Sequence, residues 1–338
     1  MKWKICLILI LHVKFINSLG SDMAKQEFND FVLKYNKTYS SPTEYDAAFE
    51  NFAKEKLAIQ AQRLKYESNQ STFLMGINYR SDQTFEQKKT WLGLLLEEMP
   101  TSQARALTNE FPSTSSNVPA PARIDFREFG YVTNVLDQGY FCSSCYSFAT
   151  LCSVEGQFLK KNISTKVLST QSIIDCSSNY KNKGCDGGYI ESSFRYLIDS
   201  KGIEDFNSYP YEGTVGQCRY NNKKSVGSVR CYDKVQTDEE TLKQILANTG
   251  PMAIGIKANF PSFYGYQNGV YDDDNCYGIP DHAVCLVGYG TDYSYNPPAD
   301  YWLIKNSWSD EWGEKGFIRM KRGVNLCSLT SAMFYGEV

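Results

Sequence analysis

With 338 residues, 42% of them hydrophobic and 22% charged, the chain has the length of about two domains and enough apolar content to bury a core through most of them. Its 35 basic and 38 acidic residues nearly cancel, to a net charge of -3, which argues against a basic nucleic-acid-binding face. No polybasic run points to stable contact with an anionic membrane.

At the N-terminus, Lys2 and Lys4 precede the apolar run Ile5–Leu11, and the small residues Ser18 and Gly20 follow. That layout predicts a secretory signal peptide over residues 1–20. The run is too short for a membrane span, which needs roughly 20 apolar residues. Phe28, Phe31, Val32 and Tyr35 then fall on one face of a helix. A second helix begins at Ser41, with Pro42 in its first position and Glu44 completing a capping box. Tyr45, Phe49, Phe52 and Ile59 line one face of it as far as about Tyr66. Such helices alone make a helical hairpin, and their apolar faces need a partner surface.

Residues 101–123 lose periodicity, and the run from Ser113 to Ala122 is rich in Ser and Pro. It reads as an exposed, cleavable linker, with the boundary near Val118 to Ala120. Beyond it, helices are expected over Cys145–Lys161, Ser169–Asp175, Ile190–Lys201 and Asp238–Asn248. Strands are expected over Met252–Ile256, Ala283–Tyr289, Tyr301–Lys305 and Gly316–Met320. Helices first and strands later predict an α+β protein with two sub-domains.

Eleven cysteines are present, and all but Cys6 lie at or after Cys142. In a secreted chain this half reads as disulfide-bonded. Of two histidines, His12 falls in the signal peptide, so His282 alone can serve a hydrolase as general base. A lone core histidine is the competing reading until the neighbouring motifs are considered.

Those motifs are Gln138-Gly-Tyr-Phe-Cys142-Ser-Ser-Cys145-Tyr-Ser-Phe148, then Asp281-His282-Ala283-Val284, then Lys305-Asn306-Ser307-Trp308. Together they resemble the active-site segments of papain-like cysteine peptidases, whose signature puts His and Asn about 130–150 residues after the cysteine. His282 follows Cys145 by roughly 140 residues and Asn306 by roughly 160. The chemistry agrees with the resemblance. A thiol at a helix N-terminus beside an imidazolium is biased toward thiolate, and an amide can orient the imidazole. The resemblance implies Cys145 as nucleophile, His282 as base, Asn306 as orienting amide, Trp308 as its cover and Gln138 as an oxyanion donor beside the Cys145 N–H.

The same resemblance implies the disulfides Cys142–Cys185, Cys176–Cys218 and Cys276–Cys327. Cys145 is left free, and Cys152 and Cys285 are left as buried thiols; Cys231 has no assigned role. It makes Gly187 and Gly188 a peptide-binding wall. Around an S2 pocket it gathers Tyr189, Ile190, Gly255, Pro280, Ala283 and Ala332, with Asp281 and Trp308 nearby. The pocket floor carries no charge, so an apolar P2 side chain is expected. Two departures from the family pattern stand out: one extra residue between Gln138 and Cys142, and Ser143 where Gly is usual.

Upstream, the family's interspersed motif Glu, Arg, Phe, Asn, Ile, Asn reads Glu44, Ala48, Phe52, Glu55, Ile59, Arg63, matching at three of six places. A second motif keeps Gly76, Asn78 and Asp82 but has Arg80 where Phe is usual. Both resemble the cathepsin L-like branch. They imply residues 21–119 as an inhibitory propeptide lying across the cleft of a papain-like domain over 120–338. That domain would have a mostly helical left part and a β-barrel-like right part, and loss of carboxylate contacts in acid would release the propeptide.

The expected product is a secretory-pathway cysteine endopeptidase, lysosomal or extracellular, monomeric and without cofactor or metal. Its partners would be protein and peptide substrates, its own propeptide and cystatin-type inhibitors, and neither nucleic acid nor membrane. A catalytically silent binding protein on the same fold is the alternative. A thiol–disulfide exchange motif, an acyl transferase and a zinc site are weaker alternatives. Asn36, Asn69 and Asn162 each open a glycosylation sequon.

Overall fold

The patterning of apolar residues organises a computed structural model that describes residues 23–96 and 119–338. The expected signal peptide, with Cys6 and His12, and the linker as far as residue 118 lie outside the described residues.

Helix α1 covers 23–34 and α2 covers Pro42–Glu67. Phe28, Phe31, Ala48 and Phe52 close the hairpin between them. The capping at α2 differs from expectation by one residue. Ser41 Oγ accepts from the Glu44 N–H, but the Glu44 carboxylate accepts from the backbone and hydroxyl of Ser40, not from Ser41. Strand β1 (Phe73–Met75) and helix α3 (Phe85–Lys89) follow.

The larger unit contains β2 (Ile124–Asp125), α4 (Cys145–Lys160), α5 (Thr170–Cys176), α6 (Ile190–Asp199) and a small sheet of β3 (Ile203–Glu204) and β4 (Ser225–Gly227). It continues with β5 (Cys231–Val235), α7 (Glu239–Thr249), β6 (Met252–Ile256), α8 (Pro261–Tyr264) and β7 (Tyr266–Tyr271). Strands β8 (His282–Asp292), β9 (Ala299–Lys305), β10 (Phe317–Lys321) and β11 (Ala332–Glu337) complete it. The main sheet runs β1-β7-β10-β9-β8-β6-β11-β5, with β2 also on β8. β8 is therefore interior, and its residues from His282 to Gly290 are buried. α4 is buried on nearly every side between this sheet and α5 and α6, so it reads as apolar and small all round.

The N-terminal unit joins this sheet directly. β1 pairs antiparallel with β7, with Phe73 opposite Gly269. Gly269 has φ 93, and a Cβ there would lie 2.3 Å from the Thr72 carbonyl, so only glycine allows the pairing.

Cys142–Cys185, Cys176–Cys218 and Cys276–Cys327 are bonded, and Cys145 and Cys231 are free. Cys152 and Cys285 are not free thiols: they form a fourth disulfide, with Cα atoms 6.2 Å apart. Helix and strand periodicity explain it. Cys152 lies two turns after Cys145 on the same face of α4, and Cys285 lies two residues after Ala283 on the same face of β8. Ala283 already touches Cys145, so the second pair is brought together as well.

Candidate active site

Cys145 is the first residue of α4, and Ser144, its N-cap, makes no side-chain cap, so the helix end opens toward the sulfur. Cys145 Sγ accepts from the Ala283 N–H at 3.4 Å, which sets the sulfur beside the start of β8 and its first residue, His282. Asn306 follows the last residue of β9, the strand next to β8. Its Oδ1 lies 2.8 Å from His282 Nε2 and also accepts from the Ser307 N–H at 2.8 Å. These contacts orient the ring and leave His282 Nδ1 without a hydrogen-bond partner. The Trp308 ring stacks on the imidazole at 4.8 Å and 29°, sealing the His282–Asn306 contact from water.

Cys145 and His282 are both buried, and burial sets their charge. It pushes His282 down to about 4, against the hydrogen bond to Asn306, which raises it; the Arg80 guanidinium lowers it further. It pushes the Cys145 thiol up to about 11, partly offset by the amides of Ala283, Gly93 and Tyr146. With residues 23–96 in place, thiol and imidazole are both held neutral.

The extra residue before Cys142 does not unseat Gln138. Gly139, at φ 74, turns the chain outward, and the surplus appears as the bulge of Tyr140 and Phe141, the latter 90% exposed. Gln138 is pinned on both sides: its N–H donates to the Ser307 carbonyl at 2.9 Å, and its Oε1 accepts from Ser307 Oγ at 2.8 Å. Its Nε2 donates to the carbonyls of Cys142 and Trp91, each at 3.1 Å. Ser143 is not in the positive-φ region, so its replacement of Gly strains nothing, and its hydroxyl donates to the Thr90 carbonyl.

Residues 90–95 run through the cleft. The Gly93 carbonyl accepts from Gly188 N–H at 2.8 Å, and the Gly188 carbonyl accepts from Leu95 N–H at 2.9 Å, a parallel pairing. Leu94 N–H donates to the Asp281 carbonyl at 3.1 Å. The Leu94 side chain points at Gly255: a Cβ there would lie 2.6 Å from it, with Ala332 and Pro280 beside. Leu94 belongs to one apolar cluster with Ile190, Ala283 and Ala332, while Tyr189 stays half-buried at the rim as the N-cap of α6. The Asp281 carboxylate turns away, pairing with Lys257 and accepting from the Ala258 N–H.

The weakened motifs of the N-terminal unit are compensated locally. Glu55 forms a buried ion pair with Lys88 at 3.0 Å. Asp82 binds Lys37 at 2.9 Å and Tyr39 OH at 3.0 Å, and Asn78 donates to the Tyr264 carbonyl at 2.9 Å. Sequence reading assigned no role to Leu94, Gly93 or Trp91; a Gly between apolar residues gives little local signal, although Gly93 is the only residue able to pass the Ser143 carbonyl, 1.9 Å from its absent Cβ. The sequon residues Asn36, Asn69 and Asn162 are exposed, all with positive φ just beyond the ends of α1, α2 and α4. Their helix-stopping role accounts for asparagine at each.

Comparison with known proteins agrees over both units. Residues 120–337 match the papain family cysteine protease profile, and residues 28–87 match the cathepsin propeptide inhibitor domain. A cathepsin L-like peptidase of Aedes aegypti is 34% identical, over 98% of this chain and 99% of its own. Cathepsin S of Mus musculus is 37% identical, over 90% and 88%. The solved structure of digestive procathepsin L 3 from Tenebrio molitor larval midgut superposes with a TM-score of 0.82 at 32% identity, covering 93% of this chain and 99% of that one.

Proposed function

The chain belongs to the papain-family cysteine proteases and carries a cathepsin-type propeptide inhibitor domain, and from that premise we propose that it is an endopeptidase zymogen acting through Cys145, His282 and Asn306. The observation that carries this is that Cys145 Sγ accepts from the N–H of Ala283, the residue after His282, while His282 Nε2 lies 2.8 Å from Asn306 Oδ1. In the processed enzyme the thiolate attacks the substrate carbonyl carbon, and the imidazolium gives its proton to the leaving amine. Water, deprotonated by the imidazole, then hydrolyses the thioester. Gln138 Nε2 and the Cys145 N–H, at the open end of α4, hold the oxyanion.

In the precursor the sulfur is occupied by the Gly93 N–H, which donates to it from the propeptide. Leu94 in the recess of Gly255, Pro280 and Ala332 supports an apolar P2 preference. We assign residues 1–20 to the signal peptide, 21–119 to the propeptide and 120–338 to the peptidase domain. The enzyme works as a monomer in an acidic vesicle or outside the cell, with cystatin-type inhibitors among its partners. The half-cystine pairs suit an oxidising route.

The test is labelling of the acid-processed protein with an epoxide cysteine-protease probe, alongside hydrolysis of peptides with Leu, Phe or Arg at P2. Labelling that vanishes in Cys145→Ala, with Leu and Phe ahead of Arg, is expected. A protein that neither labels nor hydrolyses is the silent binding protein instead.

A further inference from the structure

Along the cleft, Leu94 sits in the Gly255 recess, the Gly93 amide at Cys145, and the Trp91 carbonyl at Gln138. Arg80 packs on the Trp91 ring, at the end of this series away from the Leu94 recess. This arginine stands where the family motif has Phe, yet it is only 1% exposed. Its Nη2 lies 3.3 Å from Asp137 Oδ1. Its Cζ lies 2.7 Å from the Trp91 ring centroid and 4.5 Å from that of Tyr79, both of the propeptide, and 5.4 Å and 5.6 Å from those of Trp308 and Tyr140. Nε and Nη1 have no hydrogen-bond partner, so rings and one carboxylate hold the cation.

Tyr79, Arg80 and Trp91 depart with the propeptide, whereas Asp137, Tyr140 and Trp308 belong to the peptidase domain. Asp137 and Trp308 are held by the peptidase domain itself, whereas the Tyr140 ring packs mainly on the propeptide's Tyr79 and Trp91. The Asp137 carboxylate accepts from the Gly139 N–H at 2.9 Å, Trp308 stacks on Tyr264 at 5.7 Å, and Tyr140 belongs to the inserted bulge that Gly139 starts. Taking the endopeptidase reading as its basis, we propose that the processed enzyme has a site for a basic side chain on the C-terminal side of the scissile bond, formed by Asp137 between Tyr140 and Trp308 and filled in the precursor by Arg80. A guanidinium suits such a site: its flat, weakly hydrated face stacks on the rings while its edge meets the carboxylate. An apolar side chain there covers the carboxylate without pairing it.

The test uses the full precursor, processed by acid, on internally quenched peptides with a mixture of apolar residues at P2. The peptides differ only in carrying Arg, its neutral isostere citrulline, or Leu at the first, second or third residue after the scissile bond. At one of these positions Arg is expected to exceed citrulline by about tenfold in kcat/KM. That ratio should shrink toward unity in Asp137→Asn, which keeps the acceptor for Gly139, and fall in Tyr140→Ala. Because each variant is judged by its own Arg-to-citrulline ratio, partial loss of folded enzyme does not blur the result. Equal cleavage of Arg and citrulline by the unaltered enzyme, or an unchanged ratio in both variants, overturns the basic site while leaving the endopeptidase intact. Absence of cleavage of every peptide overturns both.

Discussion

The carbonyl oxygen of Trp91 lies 3.1 Å from the side-chain nitrogen of Gln138, so the propeptide occupies the donor to which the proposed mechanism assigns the oxyanion. Removing that donor should slow the processed enzyme: Gln138→Ala is expected to lower kcat by about 10²-fold, the loss typical of one oxyanion-hole donor. Steady-state kinetics on one fluorogenic peptide measures it. A kcat within about twofold of the parent would remove Gln138 from the mechanism.

Asn306 holds His282 through one buried hydrogen bond. Asn306→Ala strands the imidazole Nε2 at a cost of about 1–3 kcal/mol, or roughly tenfold to hundredfold in rate. The loss should fall on kcat rather than KM, because the ring is misaligned while the peptide wall is untouched. A pure KM effect would show that the amide serves binding.

The acid response has a definite sign. In the precursor, burial holds His282 at about 4, and a cleft opened so as to solvate the ring would return it toward about 6.5. The open state therefore binds more protons between these values, so the propeptide's hold is fullest above about pH 6.5 and weakens as the pH falls toward 4. Cys145, raised to about 11, gives the opposite bias only in alkali. Measured as propeptide release in a Cys145→Ala precursor, the acid midpoint should move lower when His282→Phe is added. An unmoved midpoint would assign release to carboxylates alone.

Leu94 is 6% exposed in its recess. Leu94→Ala forfeits about 2–5 kcal/mol of burial and packing, so the unprocessed precursor should hydrolyse small peptides at neutral pH where the parent is silent. Equal latency in the two precursors would mean that this recess contributes little to inhibition.

The Cys152–Cys285 disulfide ties α4, which Cys145 opens, to β8, which His282 opens. Replacing both with Ala should lower thermal stability by about 2–4 kcal/mol and reduce kcat through looser registry of α4 on β8. Peptide mapping that finds both as free thiols in the folded protein would contradict the bond.

Cys145, His282 and Asn306, the residues of the proposed mechanism, could be singled out because each sits in a local motif, and the fold brings those motifs together. Strand β6 and the helices α4 and α7 were legible because they are long or uniformly apolar. Strand β7 was missed, since Asn268 and Gly269 read as a turn and only the pairing with β1 makes them strand. The expected helix to Lys201 stops at Asp199, with Lys201 at positive φ ahead of Gly202. The fourth disulfide needed the packing of α4 on β8, which no window of sequence displays. Arg80 looked like a damaged motif because its partners Asp137, Tyr140 and Trp308 are distant in the chain.

The rate of Cys145 alkylation by iodoacetamide, followed against pH in precursor and processed protein, tests the account most directly. After processing, rapid alkylation should persist well below the ordinary thiol range of about 8.5 and disappear with His282→Ala, while the precursor stays unreactive at neutral pH. A processed enzyme whose alkylation follows the curve of an ordinary thiol, indifferent to His282, would contradict it.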